Sequence, residues 1–185
     1  MLDLIIKNGK CYIDGELKDV DVAVKDKKIH EIGQISGEAK EIIDASGHTV
    51  LPGCIDTQTH FREPGSTDTE DLHSGSRAAI AGGITSVFEM PNTNPPTSNK
   101  KEFQRKLDLA KNRMYCNYAF YFGATADNAD DLASLKDLEG CCGIKLFAGS
   151  STGNLLVAEE DDIDKVFQNS SKVVAVHSED EAILK

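Results

Sequence analysis

Five short apolar stretches recur after residue 51, and each is followed by a segment long enough to form a helix. They cover roughly residues 54–61, 85–90, 116–122, 143–147 and 173–177. Strands separated by connections of about a dozen residues or more are typical of parallel sheets. The pattern predicts an α/β fold of the (β/α)₈ TIM-barrel type, with about the first five βα units present.

The first 50 residues follow a different pattern. Leu2, Leu4 and Ile6 alternate with other side chains, and the pair Asp14-Gly15 is a hairpin signal. We therefore predict a small β-sandwich segment over residues 1–50, followed by the barrel segment over 51–185. Because a complete barrel takes about 250 residues, we expect this chain to hold only half of one, and the remaining half-barrel to come from the same or another chain.

Charge and hydropathy exclude two classes of partner. The chain has 20 Lys and Arg against 31 Asp and Glu, a formal net charge of −11, so it repels nucleic acid and anionic membranes. No apolar run approaches the roughly 20 residues of a membrane-spanning helix, and the N-terminus lacks the features of a signal peptide. We expect a cytoplasmic location and a small-molecule substrate.

The cysteines indicate neither a disulfide framework nor a zinc knuckle. They are odd in number and form no CxxC pair. Because most of them lie in or beside apolar stretches, we interpret them as reduced thiols that behave as small buried apolar groups. The five are Cys11, Cys54, Cys116, Cys141 and Cys142.

Two local motifs give further predictions. Thr67 and Glu70 have the spacing of a capping box and predict a helix start ahead of Gly82. The segment 149–153 matches the G-x-S-x-G pattern of a hydrolase nucleophile elbow, but no helix is predicted directly after its serine. We interpret it as a glycine-rich loop at the rim of a site.

Polar side chains stand at the C-terminal ends of four of the five predicted strands, the face of a parallel barrel where reactive groups converge. They are Asp56, Gln58, His60, Arg62, Glu89, Asn92, Lys145, His177 and Glu179. On a strand, Gln58 and His60 point to the same side, as two metal ligands would. Taken alone, either His60 or His177 is more simply interpreted as a structural histidine that packs and forms hydrogen bonds.

Lys145 lies within an apolar strand, where a charged amine is costly to keep. One interpretation is a buried ion pair with Glu89 or Asp56. The other is a lysine of lowered pKa that reacts with carbon dioxide and becomes a carboxylate able to bridge two divalent metals. Arg62 and Asn92 are donors suited to a planar carboxylate, although both lie in turns and could instead stabilise their loops.

The motifs resemble those of the dihydroorotases, members of the amidohydrolase superfamily. The matching segments are residues 51–65, which include F-R-E-P-G, residues 81–85 and 90–93, which include M-P-N-T, and residues 143–145 and 177–180. The F-R-E-P-G and M-P-N-T pair favours dihydroorotase over hydantoinase and allantoinase. The resemblance covers the chain from about residue 45 onward and implies a β-sandwich beside the barrel.

The resemblance implies that His60 and His177 bind one or two divalent metal ions, with zinc as the expected metal, and that Lys145 is the carboxylated bridging ligand. It assigns Arg62 and Asn92 to the substrate carboxylate. Gln58 stands where the family has its first histidine ligand, and an amide oxygen is the weaker ligand. The catalytic base is expected beyond residue 185.

The implied activity is reversible hydrolysis of L-dihydroorotate to N-carbamoyl-L-aspartate, in pyrimidine biosynthesis. Three alternatives stay open: another cyclic amidase of the hydantoinase or allantoinase type, a non-catalytic dihydroorotase-like scaffold, and an inactive fragment. A homo-oligomer is compatible with each of them.

Overall fold

The computed structural model describes residues 1–149 and 154–184. The chain divides into two compact units, Met1–Pro52 and Gly53–Lys185. Each unit has its own sheets and its own buried apolar cluster.

The first unit is all β. Its strands are β1 (Leu2–Lys7), β2 (Lys10–Ile13), β3 (Glu16–Asp19), β4 (Asp21–Lys25), β5 (Lys28–Gly33), β6 (Ala39–Asp44) and β7 (Thr49–Val50). They form two sheets, in the orders β5-β4-β1-β6 and β3-β2-β7. The β2–β3 turn has positive φ at both Asp14 (53°) and Gly15 (85°), as a two-residue hairpin requires. Ile5, Ala23 and Ile35 form its buried cluster.

The second unit alternates strands and helices. In chain order it contains β8 (Cys54–Thr59), α1 (Leu72–Ala81), β9 (Ile84–Glu89), α2 (Lys100–Ala110), β10 (Asn117–Gly123), a 3₁₀ helix (Ala126–Leu135), β11 (Cys141–Phe147), α3 (Glu160–Asn169), β12 (Val174–His177) and α4 (Glu181–Leu184). All neighbouring strands pair in parallel, in the order β12-β11-β10-β9-β8. The predicted α/β class with five parallel strands is confirmed.

Alternation along the strands separates two faces of this sheet. Val87, Phe120 and Ile144 belong to the main core cluster, together with helix residues such as Phe103 and Leu132. Residues of the opposite parity, including Phe88, Tyr121, Gly143, Lys145 and Phe147, point to the other face. The Phe88 and Tyr121 rings meet edge to face there, with centroids 6.4 Å apart. Lys145 therefore lies on the face away from the helices.

Two local predictions were wrong. The first helix begins at Leu72, and its capping box joins Asp71 and Ser74 rather than Thr67 and Glu70. The N–H groups of Thr69 and Glu70 instead bond back to the carbonyl of Ser66, which closes a turn before the helix.

Cys54 also differs from its prediction. All five cysteines are free, but Cys54 is exposed, because β8 is the edge strand of the sheet that the described residues form. Ile55 on the same strand is 58% exposed. Within the described residues, no helix has the length and apolar character needed to cross a membrane.

Helix α1 contacts the chain after β8 through Gly75. A Cβ atom built on Gly75 would lie 2.5 Å from Cδ1 of the buried Phe61 ring, so glycine permits the close approach. We expect Gly75→Ala to lower the free energy of unfolding by about 1–3 kcal/mol through overpacking, although alanine favours helices. Urea denaturation followed by circular dichroism measures this.

Gly82→Ala is the matched control at the end of the same helix. Its Cβ would meet only ordinary contacts, the nearest at 3.5 Å from the Ala79 carbonyl oxygen. A Gly75→Ala protein as stable as the Gly82→Ala protein would contradict the packing described here.

Candidate active site

Three of the predicted metal residues lie at one edge of the parallel sheet. His60 directly follows β8, His177 ends β12, and Lys145 lies two residues before the end of β11. In the pairing of β11 with β12, Lys145 is level with Ala175 and Phe147 with His177. The charge of Lys145 is one of several effects that lower the pKa of His60.

His60 is held by Asn92. Its Nδ1 lies 2.9 Å from Oδ1 of Asn92, across 32 residues of sequence. An amide oxygen only accepts hydrogen bonds, so Nδ1 carries the hydrogen and Nε2 keeps its lone pair. Burial lowers the pKa of His60, and the charges of Arg62, Lys145 and Lys106 act in the same direction against the opposing Asn92 hydrogen bond. The neutral imidazole has one nitrogen available to a metal.

Lys145 is 3% exposed, and burial lowers its pKa. Its Nζ lies 4.9 Å from the centroid of the Phe147 ring. Neither predicted ion pair forms, because Glu89 pairs with Lys106 and Asp56 accepts the Gln58 backbone N–H at 2.9 Å. In the described part of the chain, no carboxylate lies within ion-pair distance of Lys145. The ion-pair interpretation was wrong.

The remaining two predicted ligands, His177 and Gln58, are held less firmly by their neighbours. Nε2 of His177 lies 2.8 Å from Oε2 of Glu179, but without the alignment of a hydrogen bond, and the imidazole stacks on Phe147 at 6.0 Å. Gln58 is exposed on the edge strand β8. Among residues 1–149 and 154–184, no group of three or more His, Cys, Asp and Glu side chains is spaced to hold a metal. A metal site here therefore depends on Lys145.

Arg62 and Asn92 line one pocket of about 380 Å³. Its lining residues are Arg62, Pro64, Ser66, Asn92, Thr93, Asn94 and Pro96. The two loops are joined because the backbone N–H of Asn94 donates to the Pro64 carbonyl at 2.9 Å. Arg62 has a φ of 58°, an uncommon value for a side-chain-bearing residue. The structure thus brings the two predicted substrate-binding residues together.

The loop that carries Arg62 is fixed by a residue that the sequence did not reveal. Glu63 is 6% exposed and accepts two hydrogen bonds from Arg113, at 2.8 and 3.1 Å, and a third from the Leu72 backbone N–H at 2.9 Å. The hydrogen bond to Glu63 raises the pKa of the Arg113 guanidinium, and a carboxylate oxygen of Asp71 lies 3.6 Å from it. Glu63 resembles an ordinary turn residue in the sequence, because its partner is 50 positions away.

A second buried ion pair joins Glu89 to Lys106, which are 1% and 0% exposed. Burial raises the pKa of Glu89 to about 7, against the opposing effect of Lys106, and burial lowers the pKa of Lys106. Lys106 lies on the same helix face as Phe103 and Ala110, which are both buried. That position on an apolar helix face was a signal that could have predicted a buried lysine. Glu89 therefore belongs to the helix side of the sheet.

The glycine-rich motif of residues 149–153 cannot be placed in this site. Its residues Ser150 to Gly153 lie outside the described residues.

Comparisons with known proteins identify the relatives of the chain. The family model described as "Amidohydrolase family" matches residues 49–177. An allantoinase of Escherichia coli O1:K1 / APEC is 43% identical over 149 residues, which are 80% of this chain and 33% of that protein. The allantoinase of Escherichia coli strain SMS-3-5 is 44% identical over the same length.

Solved structures agree with this assignment. An L-hydantoinase (dihydropyrimidinase) from Arthrobacter aurescens matches with a TM-score of 0.90 and 30% identity, over 100% of this chain and 42% of that chain. A dihydropyrimidinase from Brevibacillus agri NCHU1002 matches with a TM-score of 0.83 and 25% identity, over 100% and 41%. The five strands form a curled parallel half-barrel, which confirms the predicted barrel type. The chain spans about a third of the length of these allantoinases.

The Glu63–Arg113 contact should stabilise the loop before α1. We expect Arg113→Met to lower the free energy of unfolding by about 1.5–3 kcal/mol, because it leaves a largely buried carboxylate without its charged donors. Arg105→Met is the control, because Arg105 pairs with Glu102 on an exposed helix surface and should cost under about 0.5 kcal/mol. Equal costs in urea denaturation would show that the loop does not depend on Arg113.

Proposed function

We propose that this chain, which belongs to the amidohydrolase family, contributes to a metal-dependent hydrolase that opens a cyclic amide ring. The observation that carries the proposal is the buried Lys145, which has no carboxylate partner among the described residues and lies at the same edge of the parallel sheet as His60 and His177. Metal dependence is general in this family and supports it.

The chemistry of Lys145 suits a metal ligand once it is modified. Burial favours the neutral amine, whose nitrogen can form a bond to the carbon of carbon dioxide and release a proton. The product is a carboxylate on the lysine, which carries a negative charge and can bind a divalent cation. Nε2 of His60 and the imidazole of His177 would complete the ligand set, and the amide oxygen of Gln58 would be a weak fourth ligand.

A divalent ion such as zinc would polarise the ring carbonyl and lower the pKa of a water molecule. The side chains of this chain would orient His60 and bind the substrate. Asn92 orients His60 through its oxygen, and its amide nitrogen remains a donor for a substrate oxygen. Arg62, in the same pocket, offers a planar donor pair to a carbonyl or carboxylate group.

The substrate we favour is a cyclic ureide of the allantoin type. The relatives with 43–44% identity are named allantoinases, and the solved relatives are named hydantoinases and dihydropyrimidinases. The finer prediction of a dihydroorotase, and with it a place in pyrimidine biosynthesis, is not confirmed. The sequence motifs F-R-E-P-G and M-P-N-T therefore do not single out that enzyme.

Dihydroorotate is retained as a second candidate because of Arg62. A guanidinium beside Asn92 in a small pocket suits a ring that carries a carboxylate, and a neutral ring needs no such charge. The zinc, the cytoplasmic location, a homo-oligomer and a further half-barrel stay predictions.

Substitution of Lys145 should remove the metal. We expect Lys145→Met protein to retain less than about a tenth of the zinc of the unchanged protein, because loss of a ligand removes most of the affinity. The intact mass of the unchanged protein, measured without acid, should exceed that of its sequence by one carbon dioxide. Lys165→Met, on an exposed helix surface, should change neither value.

Substrate preference separates the two candidate activities. The purified zinc-loaded protein is assayed with allantoin, hydantoin and dihydroorotate. If dihydroorotate is the substrate, Arg62→Met should lower its kcat/KM by about 10–100-fold, because a charged hydrogen bond is lost, and Arg105→Met should not. Ring opening of allantoin with little dependence on Arg62 would support the favoured activity. Absence of turnover with all three despite bound zinc would favour the scaffold alternative.

A further inference from the structure

The Glu89–Lys106 pair is buried beside the candidate site but does not belong to it. Both side chains are within the innermost part of the fold, and Lys106 also stands over the Phe120 ring, with Nζ 5.2 Å from its centroid. Apolar side chains of similar size are often as good for stability as a buried ion pair. Packing alone therefore does not explain why a charged pair occupies this buried position.

Its contacts converge on the two segments that carry His60 and Asn92. Nζ of Lys106 donates to the Met90 carbonyl at 2.9 Å, two residues before Asn92. The Met90 backbone N–H donates in turn to the Thr59 carbonyl at 2.9 Å, one residue before His60. Lys106 thus reaches from α2 to the point where β9 ends and its loop begins.

Glu89 itself pairs with Thr59 in the β8–β9 ladder, one residue before His60. The backbone N–H of Phe61 lowers the pKa of the buried Glu89 carboxyl, although neither carboxylate oxygen has an aligned hydrogen bond in the described structure. The negative charge of Glu89 also compensates the buried Lys106. His60 therefore directly follows a residue, Thr59, that is hydrogen-bonded to Met90 and paired with Glu89 at the end of β9.

We infer that the Glu89–Lys106 pair is a positioning device that fixes His60 and Asn92 against each other, and thereby sets which imidazole nitrogen of His60 faces the site. Lys106 is the anchor, because it donates to the Met90 carbonyl at 2.9 Å, and Glu89 is its counter-charge. The effect on metal binding and catalysis rests on the proposed function. The effect on His60 itself does not.

The test replaces both charges at once. The double variant Glu89→Leu/Lys106→Met keeps an apolar interior and removes the anchor on Met90. The zinc-free protein is labelled with ¹⁵N-histidine, and long-range ¹H–¹⁵N spectra at about pH 8 report the tautomer of His60 as a neutral ring. His60→Gln identifies its signals among the five histidines. The unchanged protein should show hydrogen on Nδ1, and the double variant should show a mixture of tautomers.

Zinc affinity is measured on the same proteins by competition with a chelator. Loss of a group that orients a metal-binding histidine typically weakens binding by about 10–100-fold, which we expect for the folded double variant. The single variant Lys106→Met leaves the Glu89 carboxyl, which can take up a proton once its cationic partner is gone. This variant should show the same loss of the Nδ1–H tautomer of His60. The exposed pair Asp162–Lys165, replaced by Leu and Met, is the control and should change neither measurement.

The outcomes distinguish this inference from the proposed function. A folded double variant that keeps the Nδ1–H tautomer and binds zinc within about threefold of the unchanged protein overturns the positioning role. A different result is that the Lys106 variants lose the Nδ1–H tautomer of His60 while no protein, the unchanged one included, binds zinc. That result supports the positioning role and contradicts the proposed function. Unfolding of both Lys106 variants without denaturant would also overturn the inference, because the pair would then be a requirement of the fold.

Discussion

Parallel strand pairing is the constraint on which the rest of the second unit depends. Five strands pair in chain order, each hydrogen-bonded to its predecessor, so all of their carboxyl ends lie at one edge of the sheet. His60, Asn92, Lys145 and His177 reach the same edge for this reason, although they are spread over more than a hundred residues of sequence. The helices must then cover one face, which leaves the other face to the side chains of opposite parity.

Two buried lysines show how the same cost of burial is met in two ways. Lys106, on the helix side, has a carboxylate partner in Glu89 and a carbonyl acceptor in Met90. Lys145, on the other side, has neither in the described residues, and its amine lies 4.9 Å from the centroid of the Phe147 ring. A buried amine without a partner favours its neutral form, which is the reactive one. This difference separates a structural lysine from a candidate metal ligand.

Periodicity predicted the elements because it reports burial, which is local in sequence. The five strands and the β-hairpin at Asp14-Gly15 could be predicted for that reason. Partners could not be predicted in the same way. Glu63 and Arg113 meet through the fold alone. A pair of Lys145 with Glu89 or Asp56 stayed open as one of two interpretations because the sheet face of each residue was not known. Motif resemblance placed the chain in the correct superfamily, but its loops did not separate dihydroorotase from allantoinase and hydantoinase relatives.

The central claim is that Lys145 becomes a metal ligand beside His60. The most direct measurement is a crystal structure of the protein grown with zinc and bicarbonate, with anomalous data collected at the zinc edge. We expect a carboxylate on Nζ of Lys145 and a zinc ion bound to it and to Nε2 of His60, at about 2.0–2.2 Å from each ligand atom. An unmodified Lys145 paired with a carboxylate, or zinc bound only elsewhere, would contradict the claim.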